Sequence, residues 1–154
     1  MSKKQELVHR LRQILPGILR DSKVMLAYLY GSVAADQALP DSDVDIALVL
    51  FYPANSAELS SPQRMALEFA VEGALEQHGI LRPDVRVIDD LPLTFRGEVA
   101  IRGERLYARD ETVRVDFETR TWKEYLDFEP VVRMMRQAFF DDVRQHGLLH
   151  KEEA

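Results

Sequence analysis

The sequence predicts an α+β domain with α/β-like character, in which a small central β-sheet is flanked by helices. Short apolar runs of strand length recur along the chain, and longer stretches with apolar residues at helical spacing separate them. The chain has 154 residues and contains neither internal repeats nor a linker rich in proline, glycine or serine. These observations indicate a single domain over residues 1–154.

The first half of the chain predicts one helix followed by two strands. Apolar residues at helical spacing place the helix over residues 3–20. Pro16-Gly17 is expected to end or kink it, because proline removes a backbone donor. The apolar runs 24–30 and 44–51 are typical of buried strands.

The second half predicts a third strand, an extended piece and several helical stretches. Ser60-Ser61-Pro62 supplies an N-cap and a proline for the first helical turn, and Gly79 is expected to stop this helix. Pro130 is expected to interrupt the last helical stretch. The predicted elements are a helix at about 62–78, a strand at 84–88, a short helix at 93–101, an extended piece at 104–108 and a helical stretch at 112–146.

The composition limits the metals that the protein can bind. The chain has no cysteine, which excludes a thiolate zinc site, and its four histidines (His9, His78, His146 and His150) are scattered along the sequence. Any bound metal would therefore be held by oxygen atoms, which favours magnesium, manganese or calcium.

Charge and hydropathy argue against membrane and nucleic-acid partners. No apolar run approaches the roughly 20 residues that span a bilayer. The N-terminus leads into an amphipathic pattern and not into a signal-peptide core, so we expect a cytoplasmic protein. The formal net charge of −6 argues against direct nucleic-acid binding, because contact with phosphates needs a basic surface.

Two aspartates occupy positions that aspartate normally avoids. Asp43 stands at the entrance of the second predicted strand and Asp45 lies inside it, although aspartate is depleted in strands. Because side chains alternate along a strand, both carboxylates point to the same face. A divalent cation would cancel their repulsion, so the pair is a candidate metal clamp.

The bare Asp-x-Asp pair leaves other interpretations open. Asp43 can bond the backbone amides of a turn while Asp45 lies on a solvated face. A calcium loop is disfavoured, because the glycine and glutamate that such a loop needs after Asp41, Asp43 and Asp45 are absent at the right offsets.

Gly31-Ser32 directly follows the first predicted strand. A glycine there lets the backbone approach a phosphate closely, and a serine hydroxyl and free amides at a helix start bind its oxygens. Taken alone, the pair is equally consistent with an ordinary turn. Together with Asp43 and Asp45 it predicts one site, with phosphates on one side and metal carboxylates on the other.

Gly31-Ser32, ten residues and Asp43-Val44-Asp45 together resemble the signature of the polymerase-beta-like nucleotidyltransferase superfamily. The chain is most similar to its minimal members, the MNT-domain proteins, which are MntA-type antitoxins of HEPN/MNT toxin–antitoxin modules. Further similar segments are residues 84–92, 101–110 and 125–130.

The resemblance implies the polymerase-beta-like fold, with a small mixed sheet, a catalytic segment at about 22–110 and C-terminal helices at about 111–147. It implies that Asp43, Asp45 and Asp84 are catalytic and hold a pair of magnesium ions (Mg2+).

Gly31 and Ser32 would by the same resemblance bind the phosphates of the nucleotide, ATP. From spacing alone, Asp84 is equally consistent with an exposed acid at a strand start. Asp89 and Asp90 are interpreted as turn or helix-cap residues.

For the antitoxin relatives, the resemblance implies transfer of AMP from ATP to a tyrosine of a partner HEPN toxin, which is a ribonuclease. The alternative is a non-catalytic antitoxin of the same fold that neutralises its toxin by binding alone. A third possibility is transfer to a small molecule or an RNA end.

The last predicted helix carries apolar residues that either form the docking face for this partner or pack on the domain's own core: Val131, Val132, Met134, Met135, Phe139 and Phe140. Four tyrosines are interpreted as core or edge residues: Tyr28, Tyr30, Tyr107 and Tyr125.

One segment departs from the family pattern. Family members usually carry Ala-Arg-Gly where this sequence has Ala34-Ala35-Asp36. Because the missing arginine would normally help to bind the nucleotide phosphates, its loss puts nucleotide affinity in question. Arg102 and Arg105 are the candidates to replace it.

Overall fold

The computed structural model describes residues 1–50 and 58–147, which form a four-stranded sheet and five helices. The elements in chain order are α1 (Lys3–Leu19), β1 (Leu26–Tyr30), α2 (Gly31–Ala34), β2 (Val44–Val49), α3 (Ser61–Gln77), β3 (Pro83–Val87), α4 (Leu93–Arg102), β4 (Glu104–Ala108) and α5 (Glu111–His146). The predicted α+β class is therefore confirmed. Residue 51 of the second predicted strand lies outside the described residues.

The sheet has the strand order β3-β2-β1-β4 and is mixed. β1 pairs antiparallel with both of its neighbours, whereas β2 and β3 run parallel. The parallel pair aligns Asp45 on β2 with Asp84 on β3, and the antiparallel pair aligns Asp45 with Tyr30 on β1. Pairing across three strands thus places three polar side chains at one end of the sheet.

Each face of the sheet is covered by helices. Ala27 and Leu29 of β1 pack in a core that includes side chains of α1 and α3. Leu26 and Tyr28, which alternate with them, pack in a second core with side chains of α4 and α5. The central strands are therefore buried on both sides, which explains why they read as continuous apolar runs.

Local sequence signals set most helix ends. Ser2 and Ser60 each form a capping box, with Gln5 and Gln63 respectively, and thereby satisfy backbone donors at the starts of α1 and α3. Asp110 caps α5 by accepting hydrogen bonds from backbone amides in its first turn.

Both helices continue through their interior prolines, which contradicts an end of α1 at Pro16 and an interruption at Pro130. α1 does not end at Pro16, because Leu11, Leu15 and Leu19 are fully buried on both sides of the proline and hold the helix against the sheet. α5 runs without interruption through Pro130. Pro130 has no N–H to donate to the carbonyl of Leu126, four residues earlier in the helix. Because Leu126 is exposed, water can donate to this carbonyl instead.

The apolar residues at 131–140 of the last helix do not pack in the domain's buried core. Within the described part of α5 the buried residues are Phe117, Glu118 and Thr121, all in its first third. Further along, Met134 is 74% exposed and Phe139 57% exposed. The interpretation of this stretch as core is therefore wrong.

In the ranges 1–50 and 58–147, no helix is both long and apolar enough to cross a membrane. The cytoplasmic location stays a prediction.

Candidate active site

Three carboxylates meet at the N-terminal ends of β2 and β3. Asp45 and Asp84 are register partners in this parallel pair, and Asp43 immediately precedes β2. One carboxylate oxygen from each residue lies within 4.8 Å of the other two. Asp43 is exposed and the other two are half-buried, so an ion from solvent can reach them. The structure therefore brings together the three acids that the sequence singled out.

The electrostatics of this cluster favour a cation. Burial raises the pKa of Asp45 above its ordinary value, and the charges of Asp84 and Asp43 raise it further. Each effect disfavours the ionised carboxylate, so a cation at the cluster would lower its free energy. Arg86 partly offsets the shift, with its Nε 3.8 Å from Asp84 Oδ1.

The donor set fits magnesium. Carboxylate oxygens are the ligands that hard divalent cations prefer. In the part of the chain that the structure describes, no other group of three or more such side chains comes together. The residues present therefore match the oxygen-bound metal that the composition allows.

Gly31 connects the acidic cluster to the turn after β1. It is the first residue of α2 and has φ +75°, a conformation that glycine adopts without strain. A Cβ atom at this position would run into the Asp45 carboxylate. Ser32 follows it and is half-exposed. The predicted phosphate turn and the predicted metal carboxylates are thus in direct contact.

A cavity of about 290 Å³ lies beside Gly31 and is lined by residues of α2 and α4. Tyr30 and Phe95 line it, and their rings meet edge to face with centroids 5.4 Å apart. Burial and the charge of Asp45 raise the pKa of Tyr30 to about 12, so this phenol stays protonated at neutral pH. The aromatic wall therefore remains uncharged.

The departure from the family pattern has a clear structural setting. Ala35 is exposed and lines the cavity beside Gly31. Asp36, at the position of the family's glycine, has φ 57°, a left-handed conformation that aspartate tolerates better than most residues. Arg102 also lines the cavity, whereas Arg105 lies 3.7 Å from the buried Glu118 under α5. Of the two candidate replacements, Arg102 is the one placed near Gly31.

Asp89 and Asp90 lie outside the cluster. Asp89 accepts a hydrogen bond from the Leu50 amide at 3.0 Å, and Asp90 forms an ion pair with Arg64. Their interpretation as turn residues is confirmed, but the helix-cap alternative is wrong, because Pro92 is the N-cap of α4.

Two glutamates that sequence reasoning missed hold the strand of Asp84 in place. The amides of Val85 and Val87 on edge strand β3 donate to Glu72 and Glu68 of α3, each at 2.9 Å. The spacing of four residues between the glutamates was visible in the sequence. The backbone amides that these glutamates bind could not be predicted, because the position of α3 along β3 depends on tertiary packing.

A second missed contact lies beneath α5. Tyr28 is fully buried, which confirms its interpretation as a core residue, and its hydroxyl donates to Glu118 Oε1 at 2.9 Å. Arg114 donates to the other oxygen of that carboxylate at 2.7 Å. This pairing neutralises Glu118 and anchors the first third of α5 on the sheet.

The fold and the site define a nucleotidyltransferase-type domain: a mixed sheet with neighbouring carboxylates beside a glycine turn. A family model described as "Polymerase beta, Nucleotidyltransferase" matches residues 13–112. Because this match spans more than half of the chain, the protein belongs to the polymerase beta nucleotidyltransferase family. The family resemblance seen in the sequence is confirmed.

Several solved structures of similar fold come from toxin–antitoxin assemblies. A chain from a toxin–antitoxin with AMP-PNP is 24% identical, with a TM-score of 0.59 and coverage of 86% of this chain and 98% of that chain. A chain from a MntA-HepT toxin–antitoxin is 22% identical, with a TM-score of 0.57 and coverage of 88% and 98%.

A third chain comes from a tri-AMPylated Shewanella oneidensis HEPN toxin in complex with MNT antitoxin. It is 22% identical, with a TM-score of 0.57 and coverage of 89% of this chain and 98% of that chain. These identities establish a common fold. Among curated proteins, none matches the sequence.

Proposed function

We propose that this protein is a magnesium-dependent nucleotidyltransferase that acts as an antitoxin, transferring AMP from ATP to a tyrosine of a partner HEPN ribonuclease toxin. The observation that carries the proposal is the convergence of Asp43, Asp45 and Asp84 next to Gly31. Family membership supports nucleotidyl transfer. The similar folds found with AMP-PNP and with an AMPylated HEPN toxin support the choice of nucleotide and partner.

Asp43, Asp45 and Asp84 would hold Mg2+, which when bound neutralises charge on the triphosphate and favours ionisation of the attacking hydroxyl. Gly31 and Ser32 would bind the terminal phosphates, because the missing Cβ of Gly31 lets the backbone come close and the Ser32 hydroxyl can donate a hydrogen bond. The protein's contribution is thus mainly positioning and charge neutralisation.

In the proposed reaction, the phenolic oxygen of the acceptor tyrosine forms a bond to the α-phosphorus of ATP. The bond between that phosphorus and the oxygen bridging to the β-phosphate breaks, and pyrophosphate leaves. Asp84, the outermost acid on edge strand β3, accepts the phenolic proton.

A non-catalytic antitoxin is the second candidate, and Ala35 favours it. This exposed residue on the cavity wall stands where the family usually has an arginine, so one phosphate-binding cation is missing from α2. In that case the protein would neutralise the toxin by binding alone, without transferring AMP.

Incubation of the protein with its HEPN partner, Mg2+ and ATP labelled at the α-phosphate separates the candidates. We expect label on the partner, loss of labelling with Asp43→Asn or Asp45→Asn, and retention with the control Asp41→Asn. Asp41 is a suitable control because it lies two residues from Asp43 and pairs with Arg82 at 3.6 Å, outside the cluster.

Neutralisation of the toxin that survives both Asn substitutions would contradict the catalytic proposal and support binding alone. Label that appears on a small molecule or on RNA would contradict the protein acceptor. Ala35→Arg provides an independent check of the missing arginine. An arginine side chain at this position should tighten ATP binding about 10-fold, equivalent to about 1.4 kcal/mol, because its guanidinium can bind the nucleotide phosphates.

A further inference from the structure

The second half of α5 extends from the domain with its apolar side chains in solvent. We define residues 126–146 as the α5 tail. One residue before it, the Tyr125 ring lies against Gly97 of α4 and its hydroxyl donates to Glu98 at 2.7 Å. Among described residues, no side chain of the tail is buried. The tail begins where the contact between α5 and α4 gives way to solvent.

The stripe that anchors α5 continues into the tail. Phe117, Thr121 and Tyr125 face the domain at intervals of four residues. Beyond them, apolar residues follow at alternating spacings of about three and four, the pattern of a helix seam that packs against another helix. These residues are Phe128, Val132, Met135 and Phe139.

Three further apolar side chains lie outside the seam, among the charged and polar residues of the tail. At about 100° per residue, Leu126, Met134 and Phe140 point away from the seam. They are 56%, 74% and 56% exposed. Exposed apolar side chains therefore lie on more than one side of the tail. A partner that covers the seam alone would leave these three side chains in water.

The exposed apolar area of the tail has the size of a specific interface. Its large exposed side chains are Leu126, Phe128, Val131, Met134, Met135, Phe139 and Phe140. Together they leave on the order of 700–800 Å² open, about one partner's share of a standard interface. This exceeds the roughly 300–600 Å² of the largest apolar patch on a typical monomer.

Most charged side chains of the tail pair within the helix. Arg133 lies 2.8 Å from Glu129, and Arg144 lies 3.8 Å from Asp141. These ion pairs leave little unbalanced charge to attract a partner of opposite sign. Docking through the tail would therefore depend on apolar contact, with weak dependence on salt.

We propose that the α5 tail is the surface by which this protein binds its partner, and that the partner is an all-helical protein that receives the tail in a groove between two or more of its helices. The identity of this partner as the HEPN toxin rests on the proposed function. A second copy of this chain is the poorer occupant, because pairing along the seam would leave Leu126, Met134 and Phe140 uncovered.

The tail contributes no residue to the acidic cluster or to the cavity beside Gly31. Partner binding and AMP transfer are therefore separable by substitution. Asp45→Asn removes a proposed metal ligand and leaves the tail intact. Substitutions in the tail remove the docking surface and leave the carboxylates intact.

The test measures binding of the purified HEPN toxin by titration calorimetry for two double variants. Met135→Glu with Phe139→Glu places charge on the seam, and Met134→Glu with Phe140→Glu places it on other sides. Leu81→Glu is the matched control, because Leu81 is 76% exposed and lies on the loop before β3. Far-UV circular dichroism and the Tm of each variant check that the fold is retained.

We expect each double variant to weaken binding by at least about 30-fold and Leu81→Glu to leave it unchanged. Binding that survives both double variants would overturn the proposal. Self-association would replace the proposal if two results occur together. Toxin binding would be lost in the seam variant alone, and the free protein would form a dimer that this variant dissociates.

The outcome is independent of the AMP-transfer proposal. Tail-dependent binding without any label on the toxin would support the docking surface and contradict catalysis. AMP transfer that is unaffected by either tail variant would support catalysis and contradict the docking surface. Asp45→Asn should bind the toxin as tightly as the wild-type protein does.

Discussion

Gly31 joins the two halves of the candidate site, since its missing side chain lets the α2 turn lie against the Asp45 carboxylate. Two separate features favour glycine at this position. One is the positive φ of the residue, and the other is the short distance between its backbone and the Asp45 carboxylate. The sequence pointed to Gly31 through its neighbour Ser32. The contact with Asp45 explains why a glycine is needed here.

Gly31→Ala should therefore destabilise the protein by about 1–3 kcal/mol, because alanine is strained at this φ and its Cβ displaces the carboxylate. Chemical denaturation measures this change. In an Asp45→Ala background the clash is removed and only the strain remains, so the effect of Gly31→Ala should be smaller there. If Gly31→Ala lowered the free energy of unfolding equally in the wild-type and Asp45→Ala backgrounds, the contact between Gly31 and Asp45 would be contradicted.

Asp45 is held in an unfavourable charge environment in the metal-free protein, as its raised pKa indicates. Asp45→Asn relieves this repulsion and should raise the Tm without magnesium by about 2 °C, a small effect because the cluster is partly solvated. Added Mg2+ should raise the Tm of the wild-type protein and not that of the variant.

Thermal unfolding with and without MgCl2 measures both effects, and Asp41→Asn serves as the control that keeps the response to Mg2+. Stabilisation of Asp45→Asn by Mg2+ to the same extent as the wild-type protein would show that the ion binds elsewhere.

Among the elements, α4 and α5 are joined by a close contact at Gly97. A Cβ there would run into the ring of Tyr125, so the two helices approach more closely than larger residues would allow. This contact and the bond from Tyr125 to Glu98 precede the exposed tail. The direction in which the tail leaves the domain therefore depends on a glycine of the neighbouring helix.

Gly97→Ala should destabilise the protein by about 1–3 kcal/mol through overpacking, although alanine is the better helix former. Gly73→Ala is the matched control in α3, where no atom lies within 4 Å of an added Cβ, and it should stabilise by about 0.5–1 kcal/mol. Urea denaturation of both variants measures the difference. If both substitutions changed the free energy of unfolding in the same direction, the close packing of α4 on α5 would be contradicted.

At the scale of the molecule, buried packing among residues 1–50 and 58–147 is concentrated on the sheet and does not extend to the end of α5. β1 lies between β2 and β4, and its first four residues, Leu26 to Leu29, are fully buried. No described side chain of the α5 tail is buried, and most helical stability in proteins comes from tertiary packing. Protection against exchange should therefore differ between these two regions.

Hydrogen–deuterium exchange followed by mass spectrometry should show the slowest exchange in β1 and fast exchange in residues 126–146 of the free protein. Binding of the partner should slow exchange in the tail, with little change in β1. Equal protection of the tail and β1 in the free protein would contradict an unpacked tail.

The sequence by itself determined the elements and the chemistry of the candidate residues. Caps such as Ser60 and stops such as Gly79 act within a few residues, so helix ends could be predicted locally. The alternation of Asp43 and Asp45 and their spacing from Gly31 identified the family, because this short-range pattern is specific. The two interior prolines do not end their helices, since leucines packed on the sheet hold α1 on both sides of Pro16 and Pro130 lies where water can replace the lost bond.

Only the tertiary structure decided which residues meet. The parallel register of β2 and β3 places Asp84 opposite Asp45, whereas spacing alone left Asp84 equivalent to any exposed acid at a strand start and only the family resemblance singled it out. The same holds for the exposed apolar residues of α5, because a helical pattern shows which side chains share a face and not whether anything covers them. Strand pairing and helix packing join residues far apart in the chain, and no local signal in the sequence specifies those distances.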